Sequence, residues 1–262
     1  MDRILDLDRF PLDRPECDEY TRLVTGCQDE LRTSGMFNLV GFLRAGVAQT
    51  CADALAEPMA SASFTHKRYH NIYFKKSLPD LSADHPALRK FHTINHTLCA
   101  DQLGGNAIMD IYQWAPLATF LARVLGKNML HQMQDPLARV NVMEYRQGEA
   151  LNWHFDRAEF TTTLLLQASE KGGEFEYSTN LRSKNDPNYE GVAKLLSGQC
   201  RNISKINPVA GTLNVFRGIN TPHRVTPIEG KRARIIAVYS YYDRPGVTFS
   251  ANEQTGFYGR CI

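Results

Sequence analysis

The sequence predicts an α+β protein: a double-stranded β-helix (jelly-roll) core with N-terminal supporting helices. Two observations predict it. Apolar residues recur at helical spacing through most of the first half, and residues 138–242 then hold five short runs rich in β-branched and aromatic residues, punctuated by Gly, Asn and Pro. Composition supplies the core: 43% hydrophobic and 22% charged residues exclude disorder, collagen and coiled coil. At 262 residues, with no repeat, low-complexity tract or interdomain linker, one domain over 1–262 is expected. Within it, 1–137 is mainly helical support with a leading strand, 138–250 is the jelly-roll core, 179–203 is an insertion and 251–262 is a C-terminal tail.

Taken in order, residues 14–33 and 44–60 have apolar spacing of three and four and read as helices, with FNLVGFL (37–43) a strand between them. ALRKFHTINHTLCAD (87–101) and WAPLATFLARVLG (114–126) read as two more amphipathic helices, the second stopped by Gly126. Strands follow at 138–146, 159–169, 173–178, 211–218 and 233–242, and SEKGG supplies hairpin chemistry between the second and third. The stretch 179–203 is too polar for a strand and contains the short helical pattern EGVAKLL, so it reads as an excursion.

Thirty basic against 28 acidic side chains leave a charge of +2. That balance argues against a nucleic-acid or membrane partner, which calls for a concentrated basic surplus, and leaves room for a small anionic ligand. The cysteines (Cys17, Cys27, Cys51, Cys99, Cys200 and Cys261) form no C-x-x-C pair, so neither a zinc cage nor a short-loop disulfide framework is expected. The N-terminal stretch alternates charged and apolar residues with no signal-peptide core, and a soluble cytoplasmic protein is expected.

Chemistry concentrates in NWHFD and INTPHRVTP. His154, Asp156 and His223 offer two imidazoles and one carboxylate, the facial set that binds Fe(II) and leaves open positions. In extended chain, residues two apart point to the same face, so His154 and Asp156 can grip one metal while a strand folding back brings His223. A 2-oxo acid suits the open positions because its carboxylate and keto oxygen chelate iron and leave a place for O2. If that cosubstrate is 2-oxoglutarate, its second carboxylate needs an arginine, whose planar fork bonds a carboxylate bidentately and stays charged. Arg232 and Arg234 open the strand after His223, on the same parity as Ile236, Val238 and Ser240.

The order of these features resembles the Fe(II)/2-oxoglutarate-dependent oxygenases, and most closely the branch of free-amino-acid halogenases and their hydroxylating relatives. The matching stretches are ARVNVMEYRQGEALNWHFDRAEF, TTLLLQASEKGGEFEY, GTLNVFRGINTPHRVTPIEGKRARIIAVYSYYDRPG and FYGR. The resemblance implies that His154, Asp156 and His223 ligate iron and that Arg234 anchors the distal carboxylate of 2-oxoglutarate, with Arg232 as the fallback. In halogenating members the position of Asp156 is a small residue, usually glycine, so the aspartate implies oxygen rather than halogen transfer. The implied reaction is hydroxylation of an unactivated C–H bond of a free amino acid or similar small polar metabolite, using Fe(II), 2-oxoglutarate and O2. Desaturation or cyclisation begins with the same hydrogen abstraction. A cupin-like metal-binding barrel is the alternative of another class, which has no reason to bury the cationic strand 232–234.

Other residues carry weaker signals. His92 and His96 are four apart, as in a zinc helix, but without the glutamate base of H-E-x-x-H, and packing histidines are the better reading. FTHKRYHNIYF (64–74) reads equally as a basic surface strand or as a substrate wall in which His66, Asn71 and a carboxylate-binding Arg68 take part. Trp153, beside Asn152, is either a packing wedge or a substrate contact. Tyr145 and Asn141 share a strand face, and one or both are expected to reach the cosubstrate if that face turns inward.

Overall fold

The computed structural model describes residues 1–78 and 80–262. In chain order the elements are α1 (Asp18–Ser34), β1 (Met36–Leu39), α2 (Val47–Ala62), β2 (Phe64–Asn71), β3 (Lys90–Cys99), α3 (Ala107–Gln113) and α4 (Ala115–Val124). They continue with β4 (His131–Gln132), β5 (Val140–Tyr145), β6 (Leu151–His154), β7 (Thr161–Gln167), β8 (Lys171–Gly172), β9 (Phe175–Tyr177) and α5 (Tyr189–Leu196). The last are β10 (Ser204–Ile206), β11 (Leu213–Phe216), β12 (His223–Val225), β13 (Ile228–Glu229), β14 (Arg234–Tyr239), β15 (Tyr241–Tyr242) and α6 (Ala251–Tyr258). A seven-stranded sheet runs β1-β11-β7-β14-β5-β3-β2 and faces a four-stranded sheet, β10-β9-β12-β6.

Strand alternation decides what each face of the large sheet does. Val140 and Val142, Leu164 and Leu166, Leu213 and Val215, and Ile235 and Ala237 point to one side, where they pack with α1, α2 and α4 into the main core. Burying each such valine, leucine or isoleucine contributes about 1.5–3 kcal/mol. The alternate residues, Asn141, Met143, Tyr145, Thr163, Leu165, Asn214, Arg234, Ile236 and Val238, line the space between the sheets. Apolar residues occur at both parities of β5, so its inward face emerges only from this packing.

One predicted helix is a strand. Leu88, Phe91, Ile94 and Leu98 imitate helical spacing, yet β3 occupies the segment, paired with β2 from Phe64↔Thr97 to Asn71↔Lys90 and with β5 from His96↔Glu144 to Cys99↔Asn141. Ladder bonds on both edges and the β-branched Thr93, Ile94 and Thr97 outweigh the apolar period. His92 and His96 therefore lie roughly 13 Å apart along extended chain and cannot chelate one ion; His96 instead pairs with Glu149 at 3.0 Å. All six cysteines are free thiols. No helix among the described residues is long and apolar enough to cross a membrane.

The last residues are more than a tail. α6 starts with a capping box between Ser250 and Glu253, and Asp135 ties it to the barrel. Asp135 is fully buried, and its carboxylate accepts from the backbone N–H of Leu137, Ala138 and Phe249 and from the Gln254 amide. Burial alone would raise this carboxyl, but the four donors outweigh it and hold it below its ordinary value of 3.8. Asp135→Asn is expected to cost about 2 kcal/mol at neutral pH, since the amide loses a charge-assisted acceptor and brings a donor where donors already stand. Because the folded-state pKa is depressed, the wild-type advantage is full above pH 3.8 and shrinks as the carboxylate protonates below it. Urea titrations of both proteins at several pH values check this.

Candidate active site

Antiparallel pairing of β12 with β6 sets His223 opposite His154, and their ring centroids are 4.2 Å apart. Asp156 follows two residues after His154, just beyond the strand end, with Oδ1 3.4 Å from His154 Nε2 and 3.6 Å from His223 Nε2. One ligand atom from each residue lies within 4.8 Å of the others, the one such cluster of metal-ligating side chains among the described residues.

The surroundings fix which atoms face inward. His154 Nδ1 sits 2.8 Å from the Asn152 carbonyl, and His223 Nδ1 sits 3.0 Å from the Thr221 carbonyl. A carbonyl only accepts, so both Nδ1 atoms carry hydrogen, and this turns the two Nε2 atoms toward the cluster. Phe175 stacks on His223 at 5.3 Å and Phe216 meets it edge-on at 4.7 Å, while Phe74 lies edge-on to His154. Burial pushes the His223 imidazole down to about 4 against the opposing pull of Asp156, so the ring is neutral, the ligating form.

Asp156 is positioned by Thr161, whose hydroxyl donates to Oδ2 at 2.5 Å, and by its own N–H bonded to the Gly218 carbonyl. Burial would raise its carboxyl, but His223, His154 and Thr161 hold it well below the usual carboxylate range. Gly218 is required here because a Cβ would run into the Asp156 carboxylate.

Deeper between the sheets stands Arg234, 4% exposed, on the inward face of β14 opposite Tyr145. No carboxylate pairs with it among the described residues, and its buried Nε has no hydrogen-bond partner. Burial lowers its guanidinium to about 10, Tyr145 opposing. Among the described residues the Tyr145 hydroxyl finds only the Met143 thioether, at 3.7 Å. Leaving a buried cation unpaired costs several kcal/mol, so this end of the cavity is built for an anion. Gly173, at φ +67°, lets the arginine pass: a Cβ there would meet Arg234 Cδ at 3.2 Å.

The two sites share one cavity of about 470 Å³. Its outer wall is β2 and β3, contributing His66, Arg68 and His70 with Thr93, Asn95 and Thr97, and its roof includes Phe249, Phe257 and Tyr258. Most of the wall is satisfied internally: His70 Nε2 bonds Thr93 at 2.9 Å and Asn95 donates to Thr97 at 2.7 Å. Arg68 differs, lying half-buried over Phe74 and Phe257 at 5.2 and 4.9 Å with no carboxylate partner among the described residues.

Several residues singled out by sequence lie elsewhere. Arg232 is exposed and donates to Gln49 at 3.1 Å, because β14 begins only at Arg234. Trp153 is buried in a separate cluster with Ile72 and Phe155 against α5, pointing away from the cavity as its place beside the inward His154 requires. Asn71 closes a turn, accepting from Tyr73 and Lys75 N–H and donating to the Lys75 carbonyl. Asn141 does face the cavity, but it donates to the Leu137 and Val140 carbonyls and accepts from the Tyr258 hydroxyl at 2.8 Å. It thereby braces α6 from the cavity wall. Sequence reasoning passed over Thr161, Phe175, Phe216 and Phe257; Thr161 alone carried a signal, as a hydroxyl at the start of the strand that follows Asp156.

Solved structures with similar folds include AviO1 from Streptomyces viridochromogenes (13% identity, 85% of this chain and 96% of that one, TM-score 0.57). Others are a 2OG-Fe(II) oxygenase family oxidoreductase from Burkholderia pseudomallei (17%, 86% and 92%, TM-score 0.51) and a prolyl-4-hydroxylase from Pseudomonas putida (16%, 83% and 98%, TM-score 0.50). At these identities the likeness establishes the fold, that of the 2-oxoglutarate and iron(II) oxygenases with their double-stranded β-helix. Curated protein sequences give no match. The Halogenase D (HalD) family profile matches residues 22–255. That match covers both sheets and every residue of the cavity described above except those at the end of α6, and the chain belongs to the Halogenase D family.

Proposed function

We propose that the protein is an iron(II)- and 2-oxoglutarate-dependent oxygenase that hydroxylates a C–H bond of a free amino acid or a similarly small polar metabolite. The observation that carries this reading is the presence, in one cavity, of a His-Asp-His cluster and a buried guanidinium that has no carboxylate partner among the described residues and whose Nε is unbonded. The donor set fits iron: two imidazoles and one carboxylate on one side, with the cavity on the other.

His154, Asp156 and His223 would hold the metal, and Arg234 with the Tyr145 hydroxyl would take the distal carboxylate of 2-oxoglutarate. When bound, iron(II) with 2-oxoglutarate and O2 supplies an oxidant able to abstract hydrogen from an unactivated carbon, with succinate and CO2 as coproducts. The chain's own part is binding, orientation and exclusion of water. The carbonyls of Asn152 and Thr221 hold the imidazoles in the ligating tautomer, and Thr161 fixes the carboxylate. Phe175 and Phe216 cover His223, and Phe74 covers His154. Asp156 keeps a carboxylate where halogenation calls for a vacant position, so we read this family member as a hydroxylase in spite of the family's name. Arg68, the unpartnered donor on the wall, would hold the carboxylate of the substrate.

Arg234→Gln tests the cosubstrate assignment. The variant is expected to need roughly tenfold to several hundredfold more 2-oxoglutarate for half-maximal succinate formation, taking a charge-assisted bidentate contact as about 1.5–3 kcal/mol. Its iron affinity without cosubstrate is expected to stay at the wild-type value. Arg232→Gln is expected to behave as wild type; the reverse ranking of the two variants would remove Arg234 from this role.

A further inference from the structure

Among the described residues, the non-glycine positions with a positive φ are Asn180, Asn188 and Phe74, the last at +53°. Asparagine enters the left-handed region at little cost, whereas for a bulky side chain it lowers the population by a factor of about 5 to 30. The turn that imposes this conformation is held from several sides. Buried Asn71 accepts from the Tyr73 and Lys75 N–H groups and donates to the Lys75 carbonyl, while the Phe74 N–H reaches the Asn71 carbonyl at 3.0 Å. The Phe155 N–H, between His154 and Asp156, bonds the Ile72 carbonyl at 3.1 Å and ties the turn to the cluster.

The strained turn places one ring. Phe74 stacks on His70 at 4.4 Å, meets His154 edge-on at 5.7 Å and lies under the Arg68 guanidinium at 5.2 Å, with 37% of its surface open to solvent. His70 is itself fixed at both nitrogens, by Thr93 Oγ1 and the Asn71 carbonyl. If Arg68 takes the substrate's carboxylate and the cluster holds the metal, as proposed above, a substrate spanning the two has to pass through the volume that this ring fills. We infer that Phe74 is the gate of the metal cluster. In the empty site its ring shuts the approach between Arg68 and His154, Asn71 latches it there, and the ring swings toward solvent when a substrate enters. Strain in the shut position eases that opening, because leaving the left-handed region offsets part of what the Asn71 bonds and the His70 stack supply. A shut gate also reduces the apparent affinity for substrate by the fraction of molecules that stand open. The gating role rests on the oxygenase reading; the latch itself does not.

Carbethoxylation of the metal-free protein by diethyl pyrocarbonate, followed at each histidine by peptide mass spectrometry, reads the shut position, with exposed His92 and buried His96 as references. In Phe74→Ala and Phe74→Gly, His154 is expected to react about tenfold or more faster than in the wild type. Asn71→Ala keeps the ring and loses the latch, so an intermediate rise is expected there, with His92 and His96 unchanged in all three. Urea titration of the metal-free variants reads the strain: the folding constant of Phe74→Gly should exceed that of Phe74→Ala by about fivefold or more. In the Fe(II)- and 2-oxoglutarate-loaded enzyme, Asn71→Ala is expected to lower KM by about three- to tenfold for any small carboxylate that the wild type turns over. KM for 2-oxoglutarate should stay the same, and succinate formed without substrate should rise. His154 as slow in Phe74→Ala as in the wild type, a rise matched at His96, equal stability of the Gly and Ala variants, or a KM that does not fall in Asn71→Ala would overturn the gate. A wild-type enzyme that makes no succinate from 2-oxoglutarate with any of the carboxylates would overturn the oxygenase reading instead, while the His154 rates and the stability comparison still decide the latch.

Discussion

His223→Ala is expected to abolish iron-dependent turnover and stoichiometric iron binding while leaving the barrel folded. On the proposed reading the imidazole would provide one of three protein donors, and its Nε2 is aimed at the cluster by the Thr221 carbonyl. Loss of an outer partner of a metal ligand costs roughly 10- to 100-fold in affinity, so loss of the ligand itself should exceed that. Folding is less dependent on it, since the large sheet is held by the apolar core behind it and the two sheets are joined by the clusters around Tyr145, Leu165, Val225 and Ile236 and around Met36, Tyr177 and Phe216. The variant does leave a gap between Phe175 and Phe216, so a modest fall in Tm is expected beside an unchanged far-ultraviolet spectrum. His154→Ala is expected to behave alike. Iron content by elemental analysis, measured with the spectrum, decides: a folded variant that holds one iron with wild-type affinity would exclude its histidine from the ligand set.

Asp156→Gly is expected to lower turnover by about a hundredfold or more without making a halogenase. Removing the carboxylate withdraws a negative donor and leaves the Thr161 hydroxyl without its acceptor. A chloride entering the vacated space would need donors placed for it and a substrate carbon placed to favour halogen, and this cavity holds Thr161 and Gly218 in positions fitted to an aspartate. Chlorinated product is therefore expected to be a minor fraction of what little product forms, read by mass spectrometry in high chloride. Efficient chlorination by the variant would show that Asp156 was all that separated this chain from a halogenase.

The chemistry was legible where it depends on short-range pattern. In HFD the strand period alone sets His154 and Asp156 on one side, and the apolar strands at 161–167, 213–216 and 234–239 announce a sheet that can return His223 to them. The jelly roll and the family likeness follow from those same stretches. What escaped depends on partners far apart in sequence. β3 imitates a helix until β2 and β5 claim its two edges. The parity of Asn141 is legible, but its bond to Tyr258 is not, because the partner comes from a helix with no apolar stripe to advertise it. Arg232 and Arg234 share parity, and only the point where β14 starts separates an exposed charge from a buried one. Trp153 has the parity opposite to His154, which could have been used to turn it away from the cavity.

The measurement that bears most directly on the whole account is the mass of the product made by the wild-type enzyme under 18O2, with Fe(II), 2-oxoglutarate and high chloride, across a panel of small carboxylates. The account predicts succinate in step with a product that gains one oxygen atom from O2, or loses two hydrogens if the substrate desaturates or cyclises, with no chlorine at any chloride concentration. A chlorinated product from the wild type, or product formed equally well without 2-oxoglutarate, would contradict it.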